Sequence, residues 1–112
     1  MEDRERPEQD VWIDGDARRC VVHVRGEMDL DRGPMLRHAL HTAITRPGGP
    51  PEIVIDLSDL SFCDSSGLNI LISARQTATD HDRRISLRNP QSQILRLLEI
   101  AGVGTLFPVT DA

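Results

Sequence analysis

The segment EIVIDL, residues 52–57, sets Ile53, Val54, Ile55 and Leu57 almost side by side. A short apolar run of this kind fits a central strand covered on both faces. The segments around it change period. Before it, Met35, Leu36, Ala39, Leu40, Ala43 and Ile44 recur at helical spacing. Pro34 suits a first turn, where its missing N–H costs nothing, and Asp29 or Asp31 can face free amides there. RPGGPP at 46–51 stops that helix. After the strand, Gly67 to about Asp80 reads as a second helix on Leu68, Leu71, Ile72 and Ala78, widened by Ile70 and Ala74.

The remaining segments complete the pattern. VWI (11–13) and CVVHV (20–24) flank an Asp14-Gly15 turn and read as a hairpin, with Gly26 ending the second strand. SDLSFCDSS (58–66) reads as a loop. ISLRN (85–89) holds a strand; Asn89 then caps a third helix with Pro90 at its first position and Gly102 just past its end. LFPV (106–109) closes as a short strand, and Pro108 places it at an edge. The order is β-β-α-β-α-β-α-β. Repeated βαβ units imply right-handed crossovers and parallel strands, and the first hairpin adds an antiparallel pair. The expected fold is α/β: a mixed sheet of four or five strands with helices mainly on one side. Residues 1–10, charged and containing Pro7, are expected to be a flexible tail, and 11–112 a single domain.

Charge narrows the function. Thirteen basic against eighteen acidic residues give a formal −5, with no basic block, so the chain has no general attraction for nucleic acid. No apolar run approaches the ~20 residues that cross a bilayer, and the N-terminus lacks a signal-peptide core. Cys20 and Cys63 match no zinc spacing and suit packing in a reduced, cytoplasmic setting. Aromatics are 3% of the chain, so aliphatic side chains must fill the core. Trp12 is expected to cover a sheet edge.

The chemistry concentrates in DSSG, residues 64–67, at a strand-to-helix junction. Residues past the carboxyl ends of strands are the favoured functional zone of open α/β sheets. An ordinary reading is a helix cap by a serine or by Asp64. A serine nucleophile needs an oriented base; His23, His38, His41 and His81 fall on other segments, and the G-x-S-x-G elbow is absent. His38 and His41 at i,i+3 and Asp80-His81-Asp82 form no full metal shell. A phosphoacceptor needs only an exposed hydroxyl, with helix amides nearby to accommodate the added charge.

The segment IVIDLSDLSFCDSSGLNILISARQTA, with VVHVRGEMDL upstream, resembles the STAS domain family, and within it bacterial anti-sigma factor antagonists. The resemblance spans roughly residues 10–110. It implies a four- or five-stranded sheet packed on helices, and a binding protein, not an enzyme. Such a protein captures an anti-sigma factor, often a serine kinase with its own ATP site, and so frees the sigma factor. The kinase phosphorylates the serine before the motif glycine, and a PP2C-type phosphatase reverses this. Carried onto this chain, the phosphoacceptor is Ser66. Asp64 takes the acidic position two residues before it, and Ser65 is a second hydroxyl. Glu27 and Asp29 line the neighbouring corner, and Gly67, Leu68 and Asn69 complete the partner surface. No cofactor is implied; ATP belongs to the kinase. The other use of the same fold is a constitutive scaffold or sensor module in a multiprotein assembly.

Overall fold

Five strands lie side by side in sequence order, β1-β2-β3-β4-β5, in a computed structural model that describes residues 10–110. They are β1 (Val11–Gly15), β2 (Arg19–Met28), β3 (Glu52–Cys63), β4 (Arg84–Arg88) and β5 (Val109–Thr110). The helices are α1 (Gly33–Thr45), α2 (Ser65–Asp80) and α3 (Ser92–Ile100). The β1–β2 pair is antiparallel and every other pair is parallel, as the β-β-α-β-α-β-α-β order requires. Of the expected tail, residues 1–9 lie outside the described residues. Asp10 is held: its carbonyl accepts from Arg25 N, and its carboxylate pairs with Arg32 at 2.8 Å.

Strand parity divides the sheet. Cys20 and Val22 of β2 stand level with Ile53 and Ile55 of β3 and with Ile85 and Leu87 of β4, and Val24 and Leu57 continue the same alternation along β2 and β3. All eight are buried in one cluster with Leu40 and Ile44 of α1, Leu68 and Leu71 of α2, and Ile94 and Leu98 of α3. That face holds the core. EIVIDL was expected to be a central strand covered on both faces, and β3 is the middle strand with buried residues on both faces. Val54 and Val21 are buried on the opposite face, outside the main cluster, among side chains of neighbouring strands.

The opposite face is polar and aromatic. Trp12 of the edge strand stacks on His23 with ring centroids 4.9 Å apart and planes 11° apart, and Arg25 lies 5.7 Å over the indole. Trp12 is thus the expected edge cover. His23 faces Asp14 at 3.1 Å and Asp56 at 3.3 Å, and Arg88 reaches Asp56 at 3.0 Å. Burial pushes the Asp56 carboxyl up, but hydrogen bonds from the Ser58 hydroxyl and amide and from Arg88 outweigh it, and the net shift is down. A depressed folded-state pKa stabilises above the unfolded value and is lost as pH falls through the folded one. Asp56→Asn should therefore cost about 1 kcal/mol near neutrality. The gap to the parent should narrow as pH falls below the ordinary carboxylate range, through the depressed folded-state value. Urea unfolding across that range checks it, and a pH-independent gap would contradict the assignment.

Four boundaries differ from expectation. Gly26 does not end β2. It sits at φ +81 beside a register shift, so the glycine marks a bulge through which the strand runs on to Met28. β3 likewise continues through SDLSFC to Cys63, where a loop was expected. Its polar residues find partners within the ladder: Ser61 Oγ donates to Gly26 O at 3.0 Å, and Leu60 and Cys63 turn into the core. Asn89 does not cap α3. It takes φ +51 and donates its amide to Thr110 O, bending the chain beside β5, while Gln91 occupies the cap position. The last strand begins after Pro108, because Gly104–Leu106 form a 3₁₀ turn and Phe107 points inward.

Candidate functional site

The site is the corner where β2 and β3 end together and α1 and α2 begin. Met28 pairs with Cys63, and Asp64 N donates to Met28 O at 3.3 Å. Asp29 shapes the entry to α1: its Oδ1 accepts from the amides of Asp31 and Arg32 at 3.1 and 3.2 Å. Pro34 then falls in the first turn of α1. Gly33 lies against Ile70, so the start of α1 touches the second turn of α2.

Asp64 is the N-cap of α2. One of its oxygens, Oδ1, accepts from Ser66 N at 3.0 Å, Gly67 N at 3.1 Å and Ser66 Oγ at 2.6 Å. The cap is the aspartate, so neither serine is spent on capping. The hydrogen bond from the Ser66 hydroxyl, followed by that from the Gly67 amide, lowers the Asp64 pKa. The carboxylate is therefore charged throughout the neutral range, 2.6 Å from the hydroxyl it orients.

The sequence-derived residues divide by exposure. Ser65, Asn69 and Glu27 are exposed; Ser66, Asp64 and Asp29 are half-buried. Gly67 and Leu68 are buried, so neither offers a side chain to a partner; Leu68 packs in the core, and Gly67 admits Cys63 Sγ and Met28. Met28 and Leu30, which sequence alone left undivided, separate completely: Met28 is 0% exposed and Leu30 73%. Phe62 was not anticipated. At 43% exposure it stands outward beside Glu27, its partner in the ladder. Strand alternation out from buried Cys63 would have shown it, had 58–63 been read as strand.

Hydrolytic chemistry finds no support here. Ser66 Oγ is bonded to a carboxylate, and none of the four histidines is among its hydrogen-bond partners. No group of three or more His, Cys, Asp or Glu side chains among the described residues could hold a metal. Burial, and then the Asp64 charge, push the Cys63 thiol up to about 11, and burial also raises Cys20. Both are unpaired and packed. At pH 8 neither should react with a thiol reagent such as dithionitrobenzoate in the native state, and both should react in urea. Native labelling of Cys63 within minutes would show that the corner opens.

The model of the family described as "Mlab, STAS domain" matches residues 12–108. This chain belongs to the STAS domain family. Among its curated STAS relatives, the anti-sigma-B factor antagonist of Staphylococcus aureus (strain NCTC 8325 / PS 47) is 29% identical over 90 residues, covering 80% of this chain and 82% of that protein. The anti-sigma F factor antagonist of Paenibacillus polymyxa is 28% identical over 91 residues, covering 81% and 77%. An anti-sigma factor antagonist from Mycobacterium paratuberculosis superposes with a TM-score of 0.75 at 27% identity, covering 91% of this chain and 85% of that one. The antagonist SpoIIAA shares the fold in its unphosphorylated form, with a TM-score of 0.76 at 24% identity over 91% of this chain and 87% of that one. Its phosphorylated form, from Bacillus, gives 0.72 at 24%, covering 91% and 90%.

Proposed function

We propose that this STAS domain is an anti-sigma factor antagonist whose binding is switched off by phosphorylation of Ser66. One observation carries the reading. Ser66 Oγ is half-exposed in the first turn of α2, 2.6 Å from a charged carboxylate that holds it in one orientation. A kinase active site needs a reachable hydroxyl in a fixed pose. Around it lie Ser65 and Asn69, the acids Glu27, Asp29 and Asp64, and the apolar side chains Leu30 and Phe62. An exposed aromatic with a charged rim is a normal composition for a docking patch. The relatives are named as antagonists of anti-sigma factors, and SpoIIAA has been solved with and without phosphate; both support the reading.

The partner is an anti-sigma factor that is itself a serine kinase, and a PP2C-type phosphatase restores the active form. The setting is cytoplasmic, and the chain acts by protein binding, with no catalysis and no direct contact with nucleic acid or membrane. Incubation with a kinase-type anti-sigma factor and ATP, followed by peptide mapping, should place one phosphate on Ser66. An active kinase that leaves Ser66 unmodified would overturn the switch. A stable complex that ignores phosphate at Ser66 would instead identify a constitutive scaffold.

A further inference from the structure

The outer side of α3 carries apolar groups that no described element covers. Ile94 and Leu98 turn into the core, while Leu95 is exposed and Ile100 is 77% exposed. Exposed Val109 of β5 lies beside them. Its ladder partner is buried Leu87, so Val109 stands on the helical side of the sheet, at the edge where the sheet stops. These three side chains, with Arg96, Glu99 and Thr105, line an open cleft of about 750 Å³. A second hollow of about 340 Å³ shares Leu95 and Val109 with it, so the apolar surface is continuous. Arg96 and Glu99 are both exposed, and among the described residues neither pairs with an opposite charge.

We propose that this face binds a second copy of this chain, with the two α3 helices packed antiparallel about a two-fold axis. The order of residues along the helix carries the inference. Leu95-Arg96-Leu97-Leu98-Glu99-Ile100 reads apolar, basic, two leucines packed on the core, acidic, apolar. Reversed, the segment has the same layout with its charges exchanged. Place the axis level with the Leu97–Leu98 peptide. Arg96 then comes level with Glu99 of the second copy, and Glu99 with Arg96 of the second copy, each about 2 Å along the helix from the axis. Both unlike pairs form together, as an isologous interface requires. Leu95 and Ile100 flank the charged pairs on either side and give the contact its apolar area. A parallel pairing would instead set Arg96 beside Arg96 and Glu99 beside Glu99, so the charges also select the direction. The Ser66 corner is built from β2, β3, α1 and α2, so the two surfaces use different elements.

Sedimentation velocity of the full chain, taken up to about 1 mM because a small interface associates weakly, should show a reversible monomer–dimer equilibrium. Over the same range the ¹⁵N amide signals of Leu95, Arg96, Glu99, Ile100 and Val109 should shift, with Ser66 and Gly67 unmoved. Arg96→Glu and Glu99→Arg each set two like-charged pairs across the axis, and each alone should weaken self-association by roughly tenfold or more. An equimolar mixture of the two variants restores both unlike pairs and should form a heterodimer within a few-fold of the parental affinity. Both side chains are exposed, so each variant should keep the parental unfolding midpoint. A chain that stays monomeric throughout, single variants that dimerise as the parent does, or a mixture that associates no better than either variant alone would overturn the proposal.

Discussion

Gly67→Ala should destabilise the domain by about 2 kcal/mol, although alanine is ordinarily the better helix residue by about 1 kcal/mol. A Cβ at position 67 would stand 2.6 Å from Cys63 Sγ and 3.1 Å from Met28 O. Neither neighbour can yield cheaply. Cys63 is 3% exposed, and the Met28 carbonyl accepts the amide of Asp64. Overpacking of this sort costs about 1–3 kcal/mol, and a contact below 3 Å against packed atoms belongs at the upper end, which leaves the net loss after the helix gain. The midpoint of thermal unfolding should fall by roughly 8 °C for a domain of this size. Cys63→Ala in the same chain removes the sulfur and should restore part of the loss. A double-mutant cycle in urea should then show a coupling on the order of 1 kcal/mol. Parental stability in Gly67→Ala would mean that α2 moves off the strand ends freely.

Phosphoserine installed at position 66 during translation should weaken binding to the kinase-type anti-sigma factor by about 100-fold, or roughly 2.7 kcal/mol. The group adds a charge of about −1.5 to −2. It replaces a hydroxyl that donates to Asp64 at 2.6 Å, so the donor is lost where two negative groups now meet. The phosphate must turn away from Asp64, towards the surface a partner would cover, and docking must then strip water from a dianion. Ser66→Ala removes the hydroxyl without adding charge and should bind within a few-fold of the parent. Ser66→Asp adds one smaller charge and should fall between the two. Calorimetry at low and high salt gives an internal check, since part of the phosphate penalty is screened. Equal affinities for the phosphorylated and alanine forms would remove electrostatics from the switch.

Much of this was legible because apolar period and strand order are written locally. EIVIDL, CVVHV and the Leu36–Ile44 stripe each identify their element without help from the rest of the chain. What stayed hidden depended on partners elsewhere in the sequence. SDLSFC looks like a loop because its letters are polar, yet it is strand: a bulge at Gly26 keeps β2 in step with it across more than thirty residues. Asn89 has the composition of a cap, but the ladder to Thr110 claims its amide. DSSG marks the corner correctly. Only coordinates show that one aspartate oxygen serves two amides and a hydroxyl together, and that Leu68 turns inward.

The tie between Asp64 and Met28 has a kinetic consequence. It pins the Ser66 hydroxyl to the ends of two strands, so a chemical mark placed there, as proposed above, would need no slow rearrangement of the fold to be felt. Such a device stores nothing: its output would follow the momentary balance of the enzymes that write and erase the mark, and would be graded across a population of molecules.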